Sequence, residues 1–227
     1  MLTRFVFQRA LALVYLSAFA ILVNQGLPLL GSHGLLPIPS FLSRAGFWDA
    51  PSVFHAHYSD TSFQTLAWLG LALSLFAASG LSDSLGMAVS ALTWFSLWAI
   101  YRSFVSVGQT FWGFGWEMLL LETGFLAIFL GSRDTQPPVV VIWMLRWLCF
   151  RVMFGAGLIK IRGDECWRDL TCMVYHYETQ PLPGPLSWCF HMLPRAVHRI
   201  ETFITHVSAL PVPFFMLAPW PALRAAG

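Results

Sequence analysis

A chain of 227 residues that is 57% hydrophobic, with 11 Trp, 20 Phe and only 11% charged side chains, lies far outside soluble globular composition and reads as an integral membrane protein. Thirteen Lys and Arg against eleven Asp and Glu leave a net charge of +2 without a basic block, so nothing points to a nucleic-acid partner. The seven His form no short-spaced cluster with Cys or Glu, and neither a metal nor another cofactor is expected.

The first apolar run covers 5–23, with Arg4 and Arg9 at its start and Asn24, Gln25, Gly26 and Pro28 closing it. It approaches the ~20 residues that span a bilayer. Ala18-Phe19-Ala20 has the form of a signal-cleavage site, yet Ile21-Leu22-Val23 still follows, so the run reads as a retained start-transfer helix. Residues 27–58 mix Gly and Pro with Phe41, Phe47 and Trp48, as a re-entrant or interface-hugging loop does. A second span at 63–79 turns through Gly80-Leu81-Ser82-Asp83-Ser84 into a third at 85–107, an antiparallel pair. Arg102 near the end of that span is expected to snorkel to the headgroups.

The fourth span, 111–130, carries Glu117 and Glu122. A carboxylate in hydrocarbon costs roughly 2.5 to 3.5 kcal/mol, so at least one should face protein or water. The fifth span, 139–159, supplies Arg146 and Arg151, and interhelical ion pairs with the two acids are expected. A proton or substrate path through the acids is the alternative.

Polarity then concentrates at 160–200, which holds Lys160, Arg162, Asp164, Glu165, Arg168, Asp169 and Glu178 beside Trp167, Tyr175, Tyr177 and Trp188. So much aromatic surface marks a folded, membrane-proximal element rather than a merely wet loop. Cys149 lies in an apolar segment, while Cys166, Cys172 and Cys189 share this loop, where one pair can bridge; spacing does not choose it. Residues 201–227 are apolar but broken by Pro211, Pro213 and Pro219, and read as a partial sixth span cut short. The expected architecture is an all-α polytopic bundle of about five to six transmembrane helices (1–159) with one structured polar loop. Arg4 and Arg9 on the first helix place that loop on the luminal or exoplasmic side.

The runs Gly155-Ala156-Gly157-Leu158-Ile159-Lys160-Ile161-Arg162-Gly163-Asp164, Cys166-Trp167-Arg168-Asp169-Leu170-Thr171 and His176-Tyr177-Glu178-Thr179-Gln180-Pro181 resemble the lipase maturation factor family. Gly115-Trp116-Glu117, the stretch from Leu120 to Leu126 and Gly34-Leu35-Leu36-Pro37 extend the resemblance over most of the chain. It implies a multispanning protein of the endoplasmic reticulum membrane that helps immature secreted lipases, such as lipoprotein lipase, reach their folded state. The implied role is chaperone-like, not enzymatic, with the loop in the lumen. Client apolar surface would be buried on Trp167, Tyr175, Tyr177 and Trp188, and Lys160, Arg162, Asp164, Arg168, Asp169, His176 and Glu178 would fix orientation. Arg168 and Asp169 are expected to pair with Asp164 and Arg162. Members that serve lipases carry a further carboxy-terminal region, so the chain reads as a fragment or a shortened form. The alternatives are a bacterial inner-membrane relative with another client, or a membrane enzyme or thiol-redox partner using Cys166 and Cys172 or an acid/base pair of His176 and Glu178.

Overall fold

The computed structural model describes residues 2–220, 222 and 224. It is 74% helical, with no strand among the described residues. Four stretches are long and apolar enough to cross a membrane: Leu2–Leu30, Asp60–Ser79, Val139–Gly163 and Arg195–Leu217. The protein is an all-α integral membrane protein made of two compact units, Met1–Ile142 and Trp143–Gly227.

In the first unit, α1 (Leu2–Leu30) runs a further two turns beyond residue 23. The polar residues that look like terminators lie inside it. Asn24 returns its side-chain amide to the Ala20 carbonyl at 2.9 Å, and Pro28 occupies the last turn. Gly26 is a contact rather than a stop: a Cβ there would meet the Phe63 ring at 2.5 Å. The helix α3 (Asp60–Ser79) starts from a reciprocal cap between Ser59 and Ser62 and ends on Gly80 at φ 85°, a conformation that glycine adopts without penalty. Helices α1 and α3 interlock as an antiparallel pair, because Phe63 fills the notch at Gly26 and Phe19 fills the one at Gly70.

After the short α4 (Leu81–Ser84), α5 (Met87–Val107) brings Trp94, Tyr101 and Phe104 against Tyr15 and Phe19 of α1 and Phe63 of α3. Ring centroids there lie 4.9 to 6.4 Å apart, mostly edge to face, the geometry aromatic quadrupoles favour. The connector at 27–58 joins this core. Besides α2 (Ile38–Leu42) it contains a 3₁₀ turn, Val53–His55, that packs Phe54 against both Phe63 and Phe104, while Ser52 Oγ donates to the Ser103 carbonyl at 3.0 Å.

The stretch at 111–130 is not one continuous span. A 3₁₀ turn, Gln109–Trp112, precedes α6 (Gly115–Ile128), which has 14 residues and a length of about 21 Å. That falls short of the ~30 Å hydrocarbon thickness. Arg102 lies with its guanidinium 5.7 Å from the Trp98 ring.

The helix α7 (Val139–Gly163) leads into the second unit. There Phe150 and Phe154 pack on Phe214 at 5.0 and 5.3 Å, and Gly157 lets Leu210 and Ala209 approach its backbone. The 160–200 segment consists largely of short helices: α8 (Glu165–Arg168), α9 (Met173–Thr179) and α10 (Ser187–His191). A longer helix, α11 (Arg195–Ala209), follows and gives way to a 3₁₀ turn at Val212–Leu217. The end of the expected sixth segment, at 221, 223 and 225–227, lies outside the described residues.

Candidate functional site

The densest polar chemistry of the second unit runs from the end of α7 to α11. Lys160 and Arg162 fall in the last turn of α7, where cations complement the partial negative charge of a helix C-terminus. Asp164 caps α8 by accepting from the Cys166 N–H at 2.9 Å. Cys166 and Cys172 form a disulfide, with Cα atoms 4.8 Å apart, and the N–H groups of Thr171 and Cys172 both donate to the Cys166 carbonyl. Leu170, inside this stapled turn, sits at φ 58°, a region leucine rarely occupies. Cys149 and Cys189 are free thiols.

Two of the four aromatic residues expected to meet a client are structural. Trp167 carries the Lys160 ammonium 5.0 Å from its ring, touches His176 and His206 edge to face, and receives a 2.8 Å hydrogen bond on its carbonyl from His206 Nε2. Tyr177 stacks on Phe190 at 5.7 Å and donates to Glu201 Oε1 at 3.2 Å. Burial, and then the Glu201 carboxylate, hold the Tyr177 phenol above its ordinary value, so it remains a donor at physiological pH. His198 is buried beside it, with Nδ1 3.0 Å from Glu201 Oε2 and Nε2 3.3 Å from the His191 carbonyl. The contact of α9 and α10 with α11 is therefore polar, held by His198, Glu201 and Tyr177, while Leu148, Phe150 and Ala209 are buried elsewhere in the unit.

Large apolar side chains lie on the outside. Tyr175 and Trp188 are exposed, and with them Leu182, Leu186, Phe190 and Met192; Leu182 is 93% and Trp188 69% accessible. The charged residues expected to orient a client are spread over this surface. Arg168 reaches Glu165 at 3.5 Å rather than Asp164, whose carboxylate serves the α8 cap, and Asp169 closes the same helix. An exposed pair like that of Arg168 contributes little, about 0 to 1 kcal/mol. The acid/base pairing of His176 and Glu178 is overturned, because it depended on extended backbone. On α9 two residues two apart point about 200° away from each other. His176 meets Trp167 and Gln180, and Glu178 meets His191 at 3.5 Å. Among the described residues no three His, Cys, Asp or Glu side chains gather as a metal-binding group.

In the first unit Glu117 accepts from Tyr101 Oη and, at 2.7 Å, from Trp116 Nε1. Glu122 lies further along α6, Arg151 sits on α7, and Arg146 on α7 stacks over Trp143 at 5.1 Å. Sequence reasoning missed two buried ionic constellations. Arg9 pairs with Asp83 at 2.7 Å, and Asp83 also accepts from Ser90 Oγ. Arg4 donates to the carbonyls of Leu130, Arg133 and Thr135. These contacts join segments more than 70 residues apart and leave no local signature. The pair of His198 and Glu201 was legible, since three-residue spacing on a helix puts both on one face.

The family model for the lipase maturation factor transmembrane domain matches residues 2–227. Lipase maturation factor 1 of Bos taurus is 45% identical over 95% of this chain and 41% of its own length, and that of Homo sapiens 44% identical over 95% and 41%. Lipase maturation factor 2 of Homo sapiens is 34% identical over 99% of the chain and 35% of its own length. The chain thus spans about two-fifths of the curated relatives it matches. No solved structure matches it. A match that covers the helical units and the stapled, charge-rich segment between α7 and α11 makes this chain a member of the lipase maturation factor family.

Proposed function

We propose that the chain is the membrane part of a chaperone-like factor that assists the folding of secreted lipases, acting from the endoplasmic reticulum membrane with residues 160–193 facing the lumen. The observation that carries this reading is the set of large apolar side chains that the second unit leaves exposed beside a hydrogen-bonded polar contact between its helices. His198, Glu201 and Tyr177 satisfy one another between α9 and α11, while Leu182, Leu186, Trp188 and Met192 are turned outward on the segment that follows the disulfide-closed turn. An immature client exposes apolar surface, and an apolar patch already turned outward can cover it. The family name supports a lipase as that client, and a disulfide supports an oxidising compartment. No chemical step is required of the protein, whose contribution is burial of client surface.

A photo-crosslinking residue placed at Trp188, in the full chain expressed in cells that secrete lipoprotein lipase, tests this directly. The expected product is an adduct with glycosidase-sensitive, not yet dimeric lipase, and the same probe at Arg44 gives none. Equal labelling from both positions, or no lipase adduct from Trp188, would remove the reading.

A further inference from the structure

The helix α11 is amphipathic in the unexpected sense. His198 and Thr202 are buried against the unit, whereas Ile200, Phe203 and Ile204 are each 57% accessible and Val207 is half-exposed. Ala196, Ile200, Phe203, Ile204 and Val207 follow the spacing of one helical face, so they form a continuous apolar stripe. At the amino-terminal end of α11 this stripe descends into a groove of about 720 Å³, within the range of small-molecule sites. Leu170, Val174 and Tyr175 make one wall and Ala196 and Ile200 the other. Within the first wall Leu170 belongs to the turn closed by Cys166 and Cys172, and Val174 and Tyr175 follow on α9.

Arg195 and Arg199 also line this groove. They are four residues apart on α11 and so lie along one edge of it. Among the described residues neither takes part in an ion pair; Glu201 faces His198 and Tyr177, and Glu178 faces His191. Two exposed guanidinium groups without an ion-pair partner above an apolar trough match a ligand with an anionic, oxygen-rich head and a hydrocarbon body. Guanidinium groups match phosphate oxygens in a bidentate fork.

We infer that the groove between the stapled turn and α11 is a binding site for an anionic phospholipid, with the phosphate on Arg195 and Arg199 and an acyl chain along Leu170, Val174 and Ile200. This occupant follows from the membrane character of the chain and from continuity: the groove opens onto the stripe of Phe203, Ile204 and Val207, which requires an apolar solvent of its own. Such a lipid would seat α11 in the plane of the headgroup boundary, its arginines at phosphate level and its stripe toward the acyl chains. The site goes beyond client binding and, Tyr175 apart, uses residues different from the patch around Trp188.

The test is photolabelling of the full chain, purified in a neutral detergent, with diazirine-acyl phosphatidylglycerol and, separately, diazirine-acyl phosphatidylcholine, followed by peptide mapping. Phosphatidylglycerol is expected to label 170–175 and 196–200 preferentially. Each arginine near an anionic lipid contributes about a five-fold gain, so Arg195→Gln with Arg199→Gln should lower that label about thirty-fold. Arg195→Lys with Arg199→Lys should hold it within a few-fold, which separates charge from folding. Equal labelling by both lipids, label loss in the lysine variant as deep as in the glutamine variant, or loss of lipase adduct from Trp188 with lipid label unmoved, each overturns the lipid site. The Trp188 adduct is otherwise expected to persist in the glutamine variant, so failure here leaves the client reading standing.

Discussion

Replacing Asp83 by Ala tests the packing of the first unit at its most costly point. Asp83 and Arg9 meet at 2.7 Å with side chains only 6% and 16% accessible, and Ser90 Oγ adds a 3.0 Å hydrogen bond to the carboxylate. The guanidinium cannot simply swing to water. It lies 4.6 Å from the Phe5 ring centroid, and its Nη2 occupies the space where Gly80 lacks a Cβ. Removing one partner of a buried pair costs about 3 to 5 kcal/mol, because the other charge stays desolvated. Arg9 retains some exposure, so the lower end, about 3 kcal/mol, is expected. An exposed pair would cost no more than about 1 kcal/mol. The assay is reversible unfolding by detergent titration, read by tryptophan fluorescence, for wild type, Asp83→Ala, Arg9→Met and the double variant. The cycle should show a coupling of at least about 2 kcal/mol, with the double variant more stable than Asp83→Ala alone. Additive losses, or a loss under about 1 kcal/mol for Asp83→Ala, would refute the buried-pair argument.

Two further outcomes follow from the same physical reasoning. Gly70→Val should separate α1 from α3, since even a Cβ would enter the Phe19 ring, at a cost in the range of about 1 to 3 kcal/mol or more for an overpacked contact. Adding Phe19→Ala should return part of that stability in the same titration, and no rescue would mean that the two side chains do not interlock. Cys166→Ser with Cys172→Ser should release a loop whose closure contributes roughly 2 kcal/mol by the chain-entropy estimate. New proteolytic cleavage within 166–176, with membrane integration unchanged, is the expected reading, and unaltered protease resistance would show that the turn holds without its bond.

What the sequence disclosed, and what it hid, divides by the range of the interaction. The helical membrane class and the positions of the long helices rest on composition and on apolar runs, which are local. The end of α1 was obscured because Asn24, Gly26 and Pro28 are turn-forming types in water. In a helix pressed against α3, Asn24 satisfies itself on Ala20, and Gly26 is the notch for Phe63. The shortness of α6 was hidden because Phe111 and Trp112 continue the apolar run while their backbone has already left the α-helix. Within the candidate site, the clustering of charge marked a segment but not the place each residue takes in the fold. Asp164 is a cap, Trp167 an anchor and Tyr177 a donor to Glu201, because each meets a partner on another element or across a turn that only folding supplies. Arg4 and Arg9 read as topological signals, and the structure gives both a second task as internal cations.

The outward apolar stripe of α11 has a thermodynamic reason. In water, a helix such as α11 would turn Ile200, Phe203 and Ile204 inward, since burying each such side chain gains roughly 1.5 to 3 kcal/mol. In or against a bilayer that gain is already supplied by the acyl chains, so it no longer decides which face packs. The deciding quantity becomes the cost of leaving His198, Glu201 and Thr202 in a poorly hydrated place without partners. Packing those groups on Tyr177 and the His191 carbonyl removes that cost and leaves the apolar stripe outside. The 15 residues of α11 extend about 22 Å, so the stretch Arg195–Leu217 matches the ~30 Å hydrocarbon layer only together with the 3₁₀ turn that follows, and α11 by itself suits the membrane boundary inferred for it above. There it holds the disulfide-braced turn and the exposed patch around Trp188 beside the bilayer. Its polar contact fixes α9 and α10 in place, which allows Leu182, Leu186 and Trp188 to remain uncovered without collapsing onto one another.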